Sequence, residues 1–176
     1  MSKARVATVW LDGCSGCHMS LLDLDEALID LAPKIELVFG PLVDAQEFPE
    51  GVDVTLVEGA VSSQDDLQLA QKVRARSKFV IALGDCAVTG NVPSMRNQIP
   101  PKQLLERIYV DGVNVNHRVP ADGVPALLKQ AAPLHEAIRV DLHVPGCPPP
   151  AAAIGYVLTE LLAGRKPELT GKVKFG

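Results

Sequence analysis

Val6-Ala-Thr-Val-Trp-Leu11 runs directly into Asp12-Gly-Cys-Ser-Gly-Cys17. Six residues, mostly apolar or β-branched and without polar alternation, suit a strand buried on both faces. A glycine-flanked C-x-x-C follows at its end. The same order returns twice. Phe79-Val-Ile-Ala-Leu83 leads into Gly84-Asp-Cys86, and the weaker Asp141-Leu-His-Val144 leads into Pro145-Gly-Cys-Pro148. A buried strand that hands over to a cysteine-bearing loop is therefore the recurring unit of the chain.

Outward from these three strands, Ile35-Glu-Leu-Val-Phe39 and Val54-Thr-Leu-Val57 read as two more. Met19–Leu31, with apolar residues at 21, 22, 24, 28, 29 and 31, has helical spacing and ends before Pro33. Gln64–Arg76 is a second helix, and Ala151–Ala163, entered through Pro148-Pro-Pro150, is the closing one. Strands that are apolar throughout and alternate with helices imply a parallel sheet covered on both faces. Five such strands suit an α/β, flavodoxin-like, doubly wound fold. Residues 91–138 break the pattern with Pro93, Pro100, Pro101, Pro120, Pro125 and Pro133. They read as an irregular insertion between strands four and five, with helix expected around Gln103–Tyr109 and Pro125–Ala131. No repeat, low-complexity tract or linker divides residues 1–176, so one domain is expected.

The totals narrow the function. At 176 residues and 47% apolar, the chain can bury a real core, and disorder is excluded. Seventeen Lys and Arg against 21 Asp and Glu give a net charge of −4, the wrong sign for a nucleic-acid binder. The start, Met1-Ser-Lys-Ala-Arg5, shows neither the apolar run of ~7–15 residues of a secretory leader nor a twin-arginine pair. The longest apolar stretch, Ala151–Ala163, is interrupted by Thr159 and Glu160 and falls short of the ~20 residues of a membrane span. A cytoplasmic protein is expected. There structural disulfides are rare, and four cysteines point to metal or redox chemistry.

Cys14, Cys17, Cys86 and Cys147 each lie just beyond the carboxyl end of a strand. In an open parallel sheet those ends share one edge, where ligands bind. Four thiols spread over 134 positions are thereby brought to one place. Four thiolates suit zinc or an iron–sulfur cluster. Structural zinc favours two tight pairs, whereas one pair with two remote singles suits the larger core of a cluster. Two blander readings stand beside this. The C-x-x-C alone could be a thioredoxin-like redox pair, and the other two cysteines could be inert buried residues. Four cysteines admit either a two-iron or a cubane cluster.

Gly13-Cys-Ser-Gly-Cys17, Val57-Glu-Gly-Ala-Val61, Ala82-Leu-Gly-Asp-Cys-Ala87 and Val144-Pro-Gly-Cys-Pro-Pro149 together resemble the small subunit of nickel–iron hydrogenases and the related cluster subunit of respiratory complex I. The complex I subunit typically has adjacent cysteines at the first site, so the C-x-x-C favours the hydrogenase branch. Gly13 stands where membrane-linked relatives commonly have Glu. No cysteine follows Cys147, whereas periplasmic small subunits hold two further clusters. The resemblance is greatest to the small subunit of soluble NAD-reducing hydrogenases. It implies one [4Fe-4S] cluster on Cys14, Cys17, Cys86 and Cys147, next to the nickel–iron site of a large subunit. It also implies electron flow to diaphorase subunits that carry iron–sulfur clusters and FMN, for H2 + NAD+ = NADH + H+. Catalytic residues are expected on the partner, not here. The alternatives are an FMN-binding flavodoxin-like carrier, disfavoured because the first loop is not a Ser/Thr-rich phosphate loop, and a complex I-like cluster subunit.

Glu58 closes strand three, which in a 2-1-3-4-5 order lies between the strands delivering Cys14, Cys17 and Cys86. It is expected to touch the cysteine edge or to serve as an alternative cluster ligand, against the plain reading of a salt bridge or turn cap. His18 is read as a surface or interface histidine, with a supporting contact behind the cysteine ligands as the alternative. His117, His135 and His143 show no ligand spacing, and Asp12 and Asp85 are read as turn caps.

Overall fold

The computed structural model describes residues 3–113 and 115–175. The leader reading at Met1 and Ser2, Asn114 of the insertion and the terminal Gly176 lie outside the described residues. The described strands are β1 (Ala4–Trp10), β2 (Ile35–Phe39), β3 (Val52–Glu58), β4 (Val61–Ser63), β5 (Ser77–Leu83), β6 (Leu127–Ala132) and β7 (Leu142–Val144). The helices are α1 (Gly16–Leu22), α2 (Glu26–Leu31), α3 (Gln64–Arg76), α4 (Asp85–Thr89), α5 (Asn91–Ser94), α6 (Pro101–Glu106), α7 (Leu134–Ala137) and α8 (Ala151–Leu162). One sheet runs β2-β1-β3-β5-β7, with every pairing parallel. Counted along its own five strands, this is the doubly wound 2-1-3-4-5 order expected from the sequence.

Both sheet faces are buried, which explains why the strands carry no polar alternation. Ala7, Val9, Val57, Val80 and Ala82 pack one face against Ala70 and Val73 of α3, Ala87 of α4 and Leu134 of α7. Val6, Leu56, Ile81, Leu83 and Val144 pack the other against Leu31 of α2 and Ile154, Val157 and Leu158 of α8. Each fully buried Val, Leu or Ile side chain contributes about 1.5–3 kcal/mol. α3 starts on a reciprocal cap: Ser63 Oγ accepts the Asp66 N–H at 3.1 Å, and Asp66 Oδ2 accepts the Ser63 N–H at 2.8 Å.

Two sequence expectations are corrected. Met19–Leu31 is not one helix: α1 stops at Leu22, and Asp25 takes a positive φ of 48° before α2. Leu24 at the break fills the space left by Gly155 of α8, where an added Cβ would lie 2.7 Å from Leu24 Cδ2. Tertiary packing overrides the helical spacing there. Pro125–Ala131 is not helical either. β6 pairs antiparallel with β4, a short strand without a clear signal in the sequence, and Asn97 binds both backbone groups of Ala131 at 2.8 Å. The helix expected around Gln103–Tyr109 is present as α6, continued by a wider π turn over Arg107–Asp111.

Asp141 fastens the last strand to the sheet. Its Oδ2 accepts the Val80 N–H at 2.9 Å and Arg74 Nη1 at 2.5 Å, while Oδ1 accepts Arg139 Nη2 at 2.9 Å. Burial alone would raise its pKa, but Arg74, the Val80 N–H and Arg139 together outweigh burial and hold the carboxyl below its usual range. A depressed folded pKa gives stability that is present above the unfolded value, ~3.9, and is lost as pH falls through the folded one. Asp141→Asn is expected to cost about 1–3 kcal/mol in urea unfolding at pH 7. The gap from wild type should narrow below about pH 4. An equal gap at both pH values would remove the carboxylate's charge from the account.

Candidate metal centre

Register delivers the site. Trp10 pairs with Glu58, Glu58 with Leu83 and Leu83 with Val144, so the carboxyl ends of β1, β3, β5 and β7 form one row across the sheet. Cys14 lies four residues past this row, and Cys86 and Cys147 lie three past it. Cys17 sits in the first turn of α1 and Cys86 in that of α4, while Cys14 and Cys147 sit in loops. Cys17 is buried, Cys86 half-buried, and Cys14 and Cys147 are exposed.

Hydrogen bonds between the loops hold this arrangement. Asp12 and Ala60 exchange both backbone bonds, at 3.1 and 2.8 Å, tying the first cysteine loop to the end of β3. Gly59 makes that joint: its φ is +97°, and a Cβ there would lie 2.8 Å from the Leu11 carbonyl carbon. The Gly84 N–H donates to Val144 O at 2.8 Å and the Asp85 N–H to Gly146 O at 2.9 Å. In return Asp85 Oδ1 accepts the Gly146 N–H at 2.7 Å. Asp85 therefore does cap a turn, and the turn it caps carries Cys147. Ser20 Oγ donates to Pro149 O at 2.5 Å, joining α1 to the approach to α8.

The chemistry of the edge fits a bulky sulfur-ligated group. Gly84, at φ +82°, has no side chain where a Cβ would stand 2.2 Å from Cys17 Sγ, and a Cβ on Gly16 would lie 3.3 Å from Cys14 Sγ. Bare backbone thus borders two of the thiols. Asn91 Nδ2 donates to Cys147 Sγ at 3.6 Å, a bond with no signal in the sequence. Among the described residues no three His, Cys, Asp or Glu side chains close on a single ion. The four thiols nevertheless lie in one another's field. Burial first, then Glu58, Cys86, Cys14 and Cys147, push the Cys17 thiol far above its ordinary range. Burial first, then Cys147, Cys14, Glu58 and Asp12, push Cys86 up to about 11. Metal-free, both remain protonated at neutral pH, so a metal must displace those protons to bind.

Glu58 stands in the row itself, and its side chain is only 2% exposed. Its Oε2 accepts the His18 backbone N–H at 2.9 Å and meets His18 Nδ1 at 2.5 Å. Of the two readings of His18, the surface one is corrected here, and the contact with Glu58 fits the supporting one. α1 begins at Gly16, so its first turn packs His18 down onto the end of β3, with the side chain 14% exposed. His135 and His143 form an exposed ring pair, centroids 5.9 Å apart. His117 Nδ1 bonds Val110 O at 2.7 Å within the insertion.

Residues 14–161 match the protein family described as NADH ubiquinone oxidoreductase, 20 Kd subunit. The chain is 39% identical, over 96% of its length, to a subunit of the F420-non-reducing hydrogenase vhu of Methanocaldococcus jannaschii, and spans 59% of that relative's length. It is 36% identical, over 97% of its length, to the delta subunit of the NAD-reducing hydrogenase HoxS of Cupriavidus necator, and spans 84% of that chain. It superposes on a chain of the crystal structure of an NAD+-reducing NiFe hydrogenase in the H2-reduced state with a TM-score of 0.95. That alignment is 36% identical and covers 99% of this chain and all of the other. Family model, fold and relatives agree: the chain belongs to the NADH ubiquinone oxidoreductase 20 Kd subunit family and is similar in sequence and fold to subunits of hydrogenases.

Proposed function

We propose that this chain is the electron-transfer small subunit of a cytoplasmic nickel–iron hydrogenase, acting as one iron–sulfur domain over residues 1–176. One observation carries the reading furthest: all four cysteines follow one row at the carboxyl edge of a sheet, two of them against bare glycine backbone, and that sheet belongs to a fold that matches, at a TM-score of 0.95, a chain of an NAD+-reducing NiFe hydrogenase. Cys14, Cys17, Cys86 and Cys147 would hold one [4Fe-4S] cluster, with Glu58 as a neighbouring carboxylate able to act as an alternative ligand. When bound, the cluster supplies a one-electron relay between the nickel–iron site of a large subunit and the iron–sulfur clusters and FMN of diaphorase subunits, serving H2 + NAD+ = NADH + H+. The chain's own groups place the cluster and tune it. The Asn91 amide donates to a ligand sulfur, and burial of Cys17 excludes water; both act on the reduction potential. Trp10, Met19, Val92 and Met95 are at least half exposed near the cysteine loops. Apolar side chains of this size on open surface mark the face that partners would cover.

The reading is tested by composition. Replacement of any one of the four cysteines by Ala is expected to abolish or convert the cluster, seen as lost iron and acid-labile sulfide and a changed paramagnetic resonance spectrum. Gly84→Ala should do the same without touching a ligand, because its Cβ and Cys17 Sγ cannot share that space. Zinc in place of iron, or full iron and sulfide in Cys86→Ala or Cys147→Ala, would overturn the ligand set. A second expectation concerns activity. The isolated chain, free of any nickel protein, should not reduce dyes with hydrogen, and acid treatment of it should release no flavin. Released FMN would favour the flavodoxin-like carrier instead.

A further inference from the structure

The pairing of His18 with Glu58 is not explained by cysteine ligation. A carboxylate 2% exposed at the end of a central strand is costly unless its charge is met by donors. Both donors the structure gives it come from one residue, the backbone N–H and Nδ1 of His18, and both go to Oε2. The other oxygen, Oε1, is turned to Gly13, 3.5 Å from where a Cβ would stand in the loop leading to Cys14. His18 Nε2 is buried and has no partner among the described residues, so Nδ1 is the nitrogen in use.

We propose that His18 is a positioning residue for the cysteine edge: its Nδ1 pins the Glu58 carboxylate in one orientation and so sets how much negative charge a bound cluster meets. The proposal rests on the cluster reading above. Reduction adds one electron, hence one negative charge, to the cluster. A nearby carboxylate opposes that charge, and hydrogen-bond donors on the carboxylate moderate the opposition. His18 acts through Glu58 and need not touch the cluster itself.

Three substitutions separate the ring nitrogens. His18→Asn places an amide N–H near the position of Nδ1, His18→Gln places one near Nε2, and His18→Ala places neither. Each variant is purified in the complex, its iron and acid-labile sulfide are counted, and the reduced-to-oxidised ratio of the cluster is followed by paramagnetic resonance at fixed potentials. His18→Asn should stay within about twofold of wild type. His18→Ala and His18→Gln should each change the ratio by about tenfold, which is 59 mV for a one-electron couple, or lose iron that His18→Asn retains. Glu58→Gln should ease reduction by removing the charge, and His18→Ala should then have no added effect in the Glu58→Gln background. The proposal falls if His18→Ala matches wild type, if Gln rescues and Asn does not, if all three lose iron alike, or if the Ala shift persists undiminished beside Glu58→Gln. Wild-type complex without iron and sulfide in this chain would instead bring down the cluster reading.

Discussion

Parallel pairing with no stagger at the carboxyl edge is the constraint on which the site depends. Trp10, Glu58, Leu83 and Val144 face one another across four strands, so three loops of unrelated sequence start from one line. Hydrophobic burial on both sheet faces enforces that line. A slip of one residue in any strand would exchange its inward sets, placing Val57 or Ala82 where Leu56 or Ile81 now packs. The core therefore acts as the ruler for the cysteines, although only Cys17 belongs to it.

Above that row the loops are short and fastened to one another rather than only to their own strands. Asp85 reaches from the head of α4 to Gly146, Ser20 from α1 to Pro149, and Asp12 to Ala60. Each bond joins elements far apart in sequence, and each is placed so that a cysteine lies within two or three residues of it. Local order at the thiols is thus supplied by ordinary protein hydrogen bonds. The same proximity has an electrostatic side. Burial first, and then the neighbouring thiols and carboxylate, favour protonated sulfur at Cys17 and Cys86, and a cationic metal core would reverse that preference.

The parts legible in the sequence are those governed by long, uniform burial. Strands, sheet order, the helices at Gln64–Arg76 and Ala151–Leu162, and the convergence of the cysteine-bearing loops follow from apolar runs and the rule that parallel strands end on one edge. Glu58 is legible as a carboxylate at that edge for the same reason. What stays hidden depends on contacts between distant residues. Helical spacing from Met19 to Leu31 does not reveal that Leu24 turns into the gap at Gly155. Leu127–Ala132 carries two alanines, a lysine and a glutamine, poor strand formers whose backbone is claimed by β4 and Asn97. His18 reads as a surface residue because its burial comes from the start of α1, one residue ahead of the cysteine. An available signal is its place directly after Cys17, on a first turn that must face the sheet.

The long excursion between β5 and β7 leaves the sheet at Gly84 and returns at Leu142, on the strand that pairs directly beside the one it left. Its first turns and its final strand are anchored, by α4 and by the β4–β6 pair, and the Gln64 N–H bonds Ala126 O at 2.9 Å just before that strand. For a loop so closed, doubling its length costs only about 0.6 kcal/mol of closure entropy. Length and sequence can therefore drift there while the distance from Cys86 to Cys147 stays constant. The fold has in effect an adapter socket beside a fixed row of cysteine loops, a place where the outer surface can be refitted without moving the thiols.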